Sequence, residues 1–118
     1  DKYLKRAGLD YWKELNVKTY RDYTDFLVKN PQGQKVFLSK KATMQCDRFC
    51  YSDKVFLIFG KESVGLPEKM LQENKDSCVR VPMSVYSRSL NLANTVAILS
   101  YEVMRQHAFS GLKTKGEI

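Results

Sequence analysis

Histidine and cysteine are scarce in this chain, and long apolar runs are missing. The one histidine, His107, lies far along the sequence from the three cysteines, Cys46, Cys50 and Cys78. Zinc sites want about four Cys, His or carboxylate ligands, so the CDRFC spacing of Cys46 and Cys50 predicts free thiols and no metal. An odd set of cysteines also fits a reducing compartment better than a disulfide framework. No stretch approaches the length of a membrane span, and no secretory signal opens the sequence, so a cytoplasmic protein with no membrane partner is expected.

Several catalytic signatures are absent as well. Without a G-x-S-x-G elbow, a hydrolase of that type is disfavoured, and His107 reads as a surface or dipole-stabilising residue at a helix end. Neither G-x-G-x-x-G nor a phosphate-loop pattern occurs, which argues against a Rossmann dehydrogenase or a nucleotide hydrolase.

What remains is a chain of 118 residues, 43% hydrophobic and 28% charged, enough for one domain with a real core. Lys and Arg outnumber Asp and Glu by 20 to 13, a net charge of +7. That surplus favours polyanions through phosphate contacts and counterion release, and points towards RNA or DNA. Between Asp1 and Trp12, the cations Lys2, Lys5 and Arg6 interleave with Tyr3, Tyr11 and Trp12. Such a segment grips nucleic acid, or else packs Leu4, Leu9 and Trp12 inward with its lysines in water.

The periodicities alternate between strand and helix. Val17 to Tyr20 is a short strand candidate, and Asp22 is placed to cap a helix from Tyr23 to Lys29, ended by a turn at Asn30 to Gly33. Val36 to Leu38, Val55 to Phe59 and Cys78 to Pro82 read as buried strands, with a loop or short helix over 43–53. Leu66-Pro67-Glu68 opens a helix running to about Asn74. A longer helix starts at Leu90 or Asn91 and ends at His107; Leu92, Val96, Leu99 and Val103 share one face, Ala93, Ala97 and Met104 a neighbouring one. That wide apolar coverage fits a core helix or a homodimer interface, and Tyr101 lies in the core or against a second subunit. Gly111 to Ile118 looks like a frayed tail. The alternation indicates an α/β domain with a mostly parallel sheet.

Two stretches carry the chemistry, VFLIFGKESVGLP from Val55 and VRVPMSVYSRSLNLANTVAILSYE from Val79. Each is a β-branched run that stops at a loop, the place where open α/β sheets hold ligands. Gly60 would let a backbone approach a ligand, and Gly65 would supply a positive φ. Ser89 and Asn91 stand at the start of the long helix, where either can cap it or line a site.

These stretches resemble the second and third motifs of the SpoU branch of the SPOUT RNA 2′-O-methyltransferases, down to the S-x-N spacing of Ser89 and Asn91. The match runs from DKYLKRAGLDYW at Asp1 to about Phe109, and within the family it is closest to the small tRNA (cytidine(34)-2′-O)-methyltransferases. The resemblance implies a SPOUT-type, mostly parallel sheet with helices on both faces and a C-terminal trefoil knot. In that knot the segment from about Ser84 threads the loop formed near Leu38 to Gly60. It also implies S-adenosyl-L-methionine as cofactor, a homodimer, and tRNA as the partner, methylated on the ribose of a wobble C or U, with leucine tRNAs as substrates.

Carried over residue by residue, Leu38, Gly60 and Val81 contact the cofactor through the backbone, and Phe59, Glu62, Gly65, Met83, Ser89 and Leu90 complete its pocket. Ser89, Asn91 and Arg88 form the catalytic group, Arg88 touching phosphate or standing in for an arginine of the family's first motif. Members carry that arginine in an N-x-G-x-x-x-R loop ahead of the position matching Asp1, and no residue here matches it. The expectation is therefore a single, amino-terminally truncated SPOUT methyltransferase domain over 1–118, weak or inactive by itself. The alternative is a non-catalytic basic RNA-binding module of the same fold.

Overall fold

The computed structural model describes residues 15–86 and 91–118. The chain divides into two compact units, Asp1–Pro31 and Gln32–Ile118.

In the first unit, helix α1 (Tyr23–Lys29) begins where the sequence places it. Asp22 is fully extended, and its carboxylate accepts the Asp25 N–H at 2.8 Å, satisfying a donor that the first turn leaves open. Asp25 is itself buried and accepts from the Arg21 backbone N–H at 3.1 Å and from Lys29 Nζ. The Arg21 N–H, more than the lysine, holds its carboxyl below the usual range. Asn30 ends the helix, its side-chain amide donating to the Phe26 carbonyl at 3.0 Å. The strand expected at Val17 to Tyr20 is irregular chain instead, with Val17 53% exposed. A strand needs a neighbour for its ladder, and among the described residues no strand pairs with this stretch.

The second unit is built on four parallel strands, β1 (Gln34–Leu38), β2 (Met44–Gln45), β3 (Val55–Ile58) and β4 (Cys78–Arg80), in the order β2-β4-β1-β3. The chain between β1 and β3 was read as loop or helix, yet Met44 and Gln45 pair with Val79 and Arg80. A two-residue strand has too little alternation to see in sequence, and its partner is distant along the chain. Both faces of β1 are covered, since the consecutive residues Val36 and Phe37 point to opposite sides and both are fully buried.

Helix α2 (Glu68–Glu73) starts after Pro67 and gives way to a 3₁₀ turn, Lys75–Ser77. Helix α3 (Leu92–Gln106) presents Thr95, Leu99 and Val103 inward. Leu99 and Val103 meet Val36, Val79, Cys46 and Tyr51 in one core cluster, each large aliphatic contributing about 1.5–3 kcal/mol on burial. Val96, expected on the inner face, is 37% exposed, and polar Thr95 takes the inward place. Thr95 can do so because its hydroxyl donates to the Asn91 carbonyl at 3.1 Å. Tyr101 is 63% exposed, with its ring beside Phe109.

The carboxyl end of α3 is fastened to the chain around Tyr51. Gln106 donates to the Phe49 carbonyl at 2.7 Å and accepts the Tyr51 N–H at 3.2 Å. His107 Nε2 lies 3.0 Å from the Tyr51 carbonyl, and the Tyr51 hydroxyl donates to the Cys46 carbonyl at 2.7 Å. Burial raises both the Tyr51 phenol and the Cys46 thiol above their ordinary values. Cys46, Cys50 and Cys78 are free. Among the described residues, no helix is long and apolar enough to cross a membrane.

Candidate functional site

Because the strands are parallel, their carboxyl ends all reach one edge of the sheet, where ligands of open α/β sheets sit. Register brings those ends side by side: Phe37 pairs with Ile58, and Leu38 with Val79. The turns that follow enclose a cavity of about 220 Å³. Leu38 lines it after β1, Phe59 and Gly60 after β3, Val81 and Met83 after β4, and the first turn of α3 closes it with Leu92 and Thr95.

The β3 turn is a compact loop, in which the Gly65 N–H donates to the Lys61 carbonyl at 2.8 Å. Gly65 takes φ +75°, the positive value its place suggested. Gly60 also has a reason within the loop itself. A β-carbon there would lie 2.1 Å from the Gly65 carbonyl carbon, so the missing side chain makes room for the loop's own backbone.

Lys40, Lys41, Lys61 and Arg80 gather around the opening. Lys41 pairs with Glu68 at the start of α2, tying the β1 turn to the helix beyond the β3 turn. Arg80 donates through Nη1 to the Lys40 carbonyl at 3.1 Å and forms no ion pair among the described residues. Glu62 is exposed on the loop. Four cations against Glu62 and Glu68 leave the mouth positive, suited to an anionic ligand.

Of the residues expected at the site, Leu38, Phe59, Gly60, Glu62, Gly65, Val81 and Met83 all line this cavity. Asn91 caps α3, its side-chain oxygen accepting the N–H groups of Ala93 at 2.8 Å and Asn94 at 3.4 Å. Arg88, Ser89 and Leu90 lie outside the described residues, as does the Asp1 to Trp12 segment. Sequence reasoning missed Leu92, Thr95, Leu71 and the mouth cations. The cations stand directly after strand ends, a position that could have marked them; Leu92 and Thr95 read as ordinary helix face.

The lining is apolar apart from strand-end backbone groups and a charged rim. Typical small-molecule sites begin at about 300 Å³. A cavity of this size is open to a small ligand or to one part of a larger one. Leu38, Phe59 and Val81 give the cavity apolar lining beside strand-end backbone groups, the mixture usual in small-molecule sites.

Residues 1–101 match the model of the SpoU rRNA Methylase family. The chain is 40% identical over 114 residues to an Escherichia coli (strain K12) protein named tRNA (cytidine(34)-2′-O)-methyltransferase, covering 94% of this chain and 71% of that protein. Among solved structures it resembles a Bacillus anthracis protein provisionally assigned as an RNA methyltransferase, with a TM-score of 0.86, 42% identity, and coverage of 98% of this chain and 74% of that one. It also resembles an AdoMet-bound rRNA methyltransferase from Sinorhizobium meliloti, with a TM-score of 0.59, 26% identity, and coverage of 70% and 33%. A sheet whose strand ends converge on one cavity, read with a family match over most of the sequence, places this chain in the SpoU family of RNA 2′-O-methyltransferases.

Proposed function

We propose that the protein methylates the ribose 2′-hydroxyl of the wobble nucleotide, C or U, of tRNA, drawing the methyl from S-adenosyl-L-methionine, with leucine tRNAs as its substrates. It acts in the cytoplasm as a homodimer, as one SPOUT domain carrying a C-terminal trefoil knot. One observation carries the reading: Leu38, Gly60 and Val81, far apart in sequence, line a single cavity. The name of the Escherichia coli relative and the AdoMet bound in the Sinorhizobium meliloti structure support the substrate and the cofactor.

A ribose hydroxyl is a poor nucleophile, so the transfer depends on in-line positioning and on removing a proton near the moment of attack. When bound, the cofactor supplies a methyl group on a sulfonium that already carries its own leaving group. The chain does the rest. Backbone groups at Leu38, Gly60 and Val81 hold the adenosine, Phe59, Met83 and Leu90 pack against it, and the Glu62 to Gly65 loop covers it. Ser89 and Asn91 orient the ribose, and Arg88 holds a neighbouring phosphate. Asn91 has its side-chain oxygen committed to the α3 cap, which leaves its amide N–H groups for a substrate oxygen. The positive mouth draws in the RNA backbone.

Calorimetry with S-adenosylhomocysteine tests the cofactor, and incorporation of radiolabelled methyl into tRNA tests the reaction. Saturable binding of S-adenosylhomocysteine and labelled tRNA are the expected results. Salt-sensitive tRNA binding with no label incorporated would instead mark a non-catalytic RNA-binding module.

A further inference from the structure

We propose that Tyr86 is a stacking platform for a base of the substrate RNA, next to the nucleotide being modified; the inference rests on the RNA-methylating function proposed above. The Tyr86 ring is 95% exposed, and Val85 beside it is 91% exposed. Neither side chain contributes to the core, and the Tyr86 ring has no aromatic or hydrogen-bonding partner among the described residues. Its backbone is nonetheless held, with the Tyr86 N–H donating to Ser84 Oγ at 3.2 Å in a local turn. A ring set outward on this turn leaves both of its faces open to a ligand.

Position and charge identify the ligand. Met83, three residues earlier, lines the cavity, so the ring stands within about 10 Å of chain from the cofactor pocket. Lys61 and Arg80 line the same cavity as Met83. Cations for phosphates beside an exposed aromatic face for bases are the two parts of a single-strand nucleic-acid platform. A second copy of the chain suits the patch less well. One tyrosine and one valine are small against the roughly 800 Å² per partner that stable association needs, and a like-charged copy would meet the same cations.

The test uses the whole chain carrying Tyr86→Ala, Tyr86→Phe or Tyr86→Leu, with tRNA as probe. Stacking predicts that Tyr86→Ala raises KM for tRNA at least about fivefold, the low end of stacking strength, with kcat nearly unchanged. Tyr86→Phe should restore the wild-type value, and Tyr86→Leu, apolar but not flat, should not. S-adenosylhomocysteine affinity, melting temperature and molecular mass in solution should be the same in all four proteins. Equal KM in Tyr86→Ala and wild type, or full rescue by leucine, would overturn stacking while leaving the methyltransferase intact. A fall in molecular mass in Tyr86→Ala would also overturn it, assigning the ring to contact between copies. Failure of the wild-type chain to methylate tRNA would bring down the proposed function first and this inference with it.

Discussion

Gly60 lies against Gly65 with no space for a side chain between them: a β-carbon on Gly60 would stand 2.4 Å from the Leu66 nitrogen and 2.5 Å from the Gly65 oxygen. The loop that covers the cavity is therefore closed by backbone meeting backbone.

Gly60→Ala should force that loop open, because the obstacle is main chain and cannot swing aside. The expected outcome is at least a tenfold loss of S-adenosylhomocysteine affinity by calorimetry, with most of the core intact. Gly65→Ala serves as the comparison. Its β-carbon would meet nothing within 4 Å, so only the positive φ is strained, at about 1–2 kcal/mol, and affinity should fall less. Equal effects from the two variants would contradict the packing described for Gly60.

Asn91→Ala removes the side chain that satisfies the Ala93 and Asn94 N–H groups at the start of α3. Loss of such a cap costs about 1 kcal/mol. Denaturant unfolding should show that loss, and Asn91→Asp, which keeps the acceptor, should recover most of it. Methylation of tRNA by Asn91→Asp separates the two roles, since the aspartate keeps the cap and discards the amide donors.

The three thiols should react at two very different rates. Cys50 is exposed, whereas Cys46 and Cys78 are buried and burial raises both thiols, disfavouring the thiolate that attacks. A chromogenic thiol reagent should modify one cysteine quickly and two only when the chain unfolds. Two fast thiols in the folded protein would contradict the burial of Cys46 against Tyr51.

Acid should weaken the core helix through Glu102. Arg105 grips its carboxylate with Nε at 3.0 Å and Nη2 at 2.8 Å, and Gln106 adds a third bond. The Arg105 hydrogen bonds come first among the causes that hold the carboxyl below its ordinary value of 4.5. A lowered folded value means that the stabilisation is complete above the ordinary value and fades as pH falls through the lowered one. Glu102→Gln should flatten the acid limb of a stability-against-pH curve and change neutral stability by about 1 kcal/mol, since Arg105 is 59% exposed and screened by solvent although Glu102 itself is only 13% exposed.

Much of this architecture was legible in the residues, and the exceptions have physical causes. The Asp22 cap and the Tyr23 to Lys29 helix followed from local signals, a capping side chain and a 3.6-residue period, and two apolar runs halted at loops pointed to one shared site around Gly60 and Val81, whereas Leu38 joined it only through the family resemblance. The Met44–Gln45 strand did not, because its existence depends on Val79 and Arg80 lying beside it. Val17 to Tyr20 has strand-like residues but pairs with no strand among the described residues, and periodicity alone does not supply a partner. Thr95 displaced Val96 from the inner face because a hydroxyl can be satisfied by the helix itself, which a count of apolar residues does not register. The packing of Gly60 against Gly65 is not legible in the residues, since sequence shows that a side chain is missing without showing what fills the space.

The fastening of Gln106 to Phe49 and Tyr51 also sets an order of events in the cell. Those contacts join residues 57 and 55 positions apart, and the helix that makes them is translated after all four strands of the sheet. Until it emerges, Val36 and Val79 have no Leu99 to sit under, and the nascent sheet waits with its inner face wet. A chain interrupted before residue 92 would keep that apolar face open, the species that chaperones and proteases would meet first.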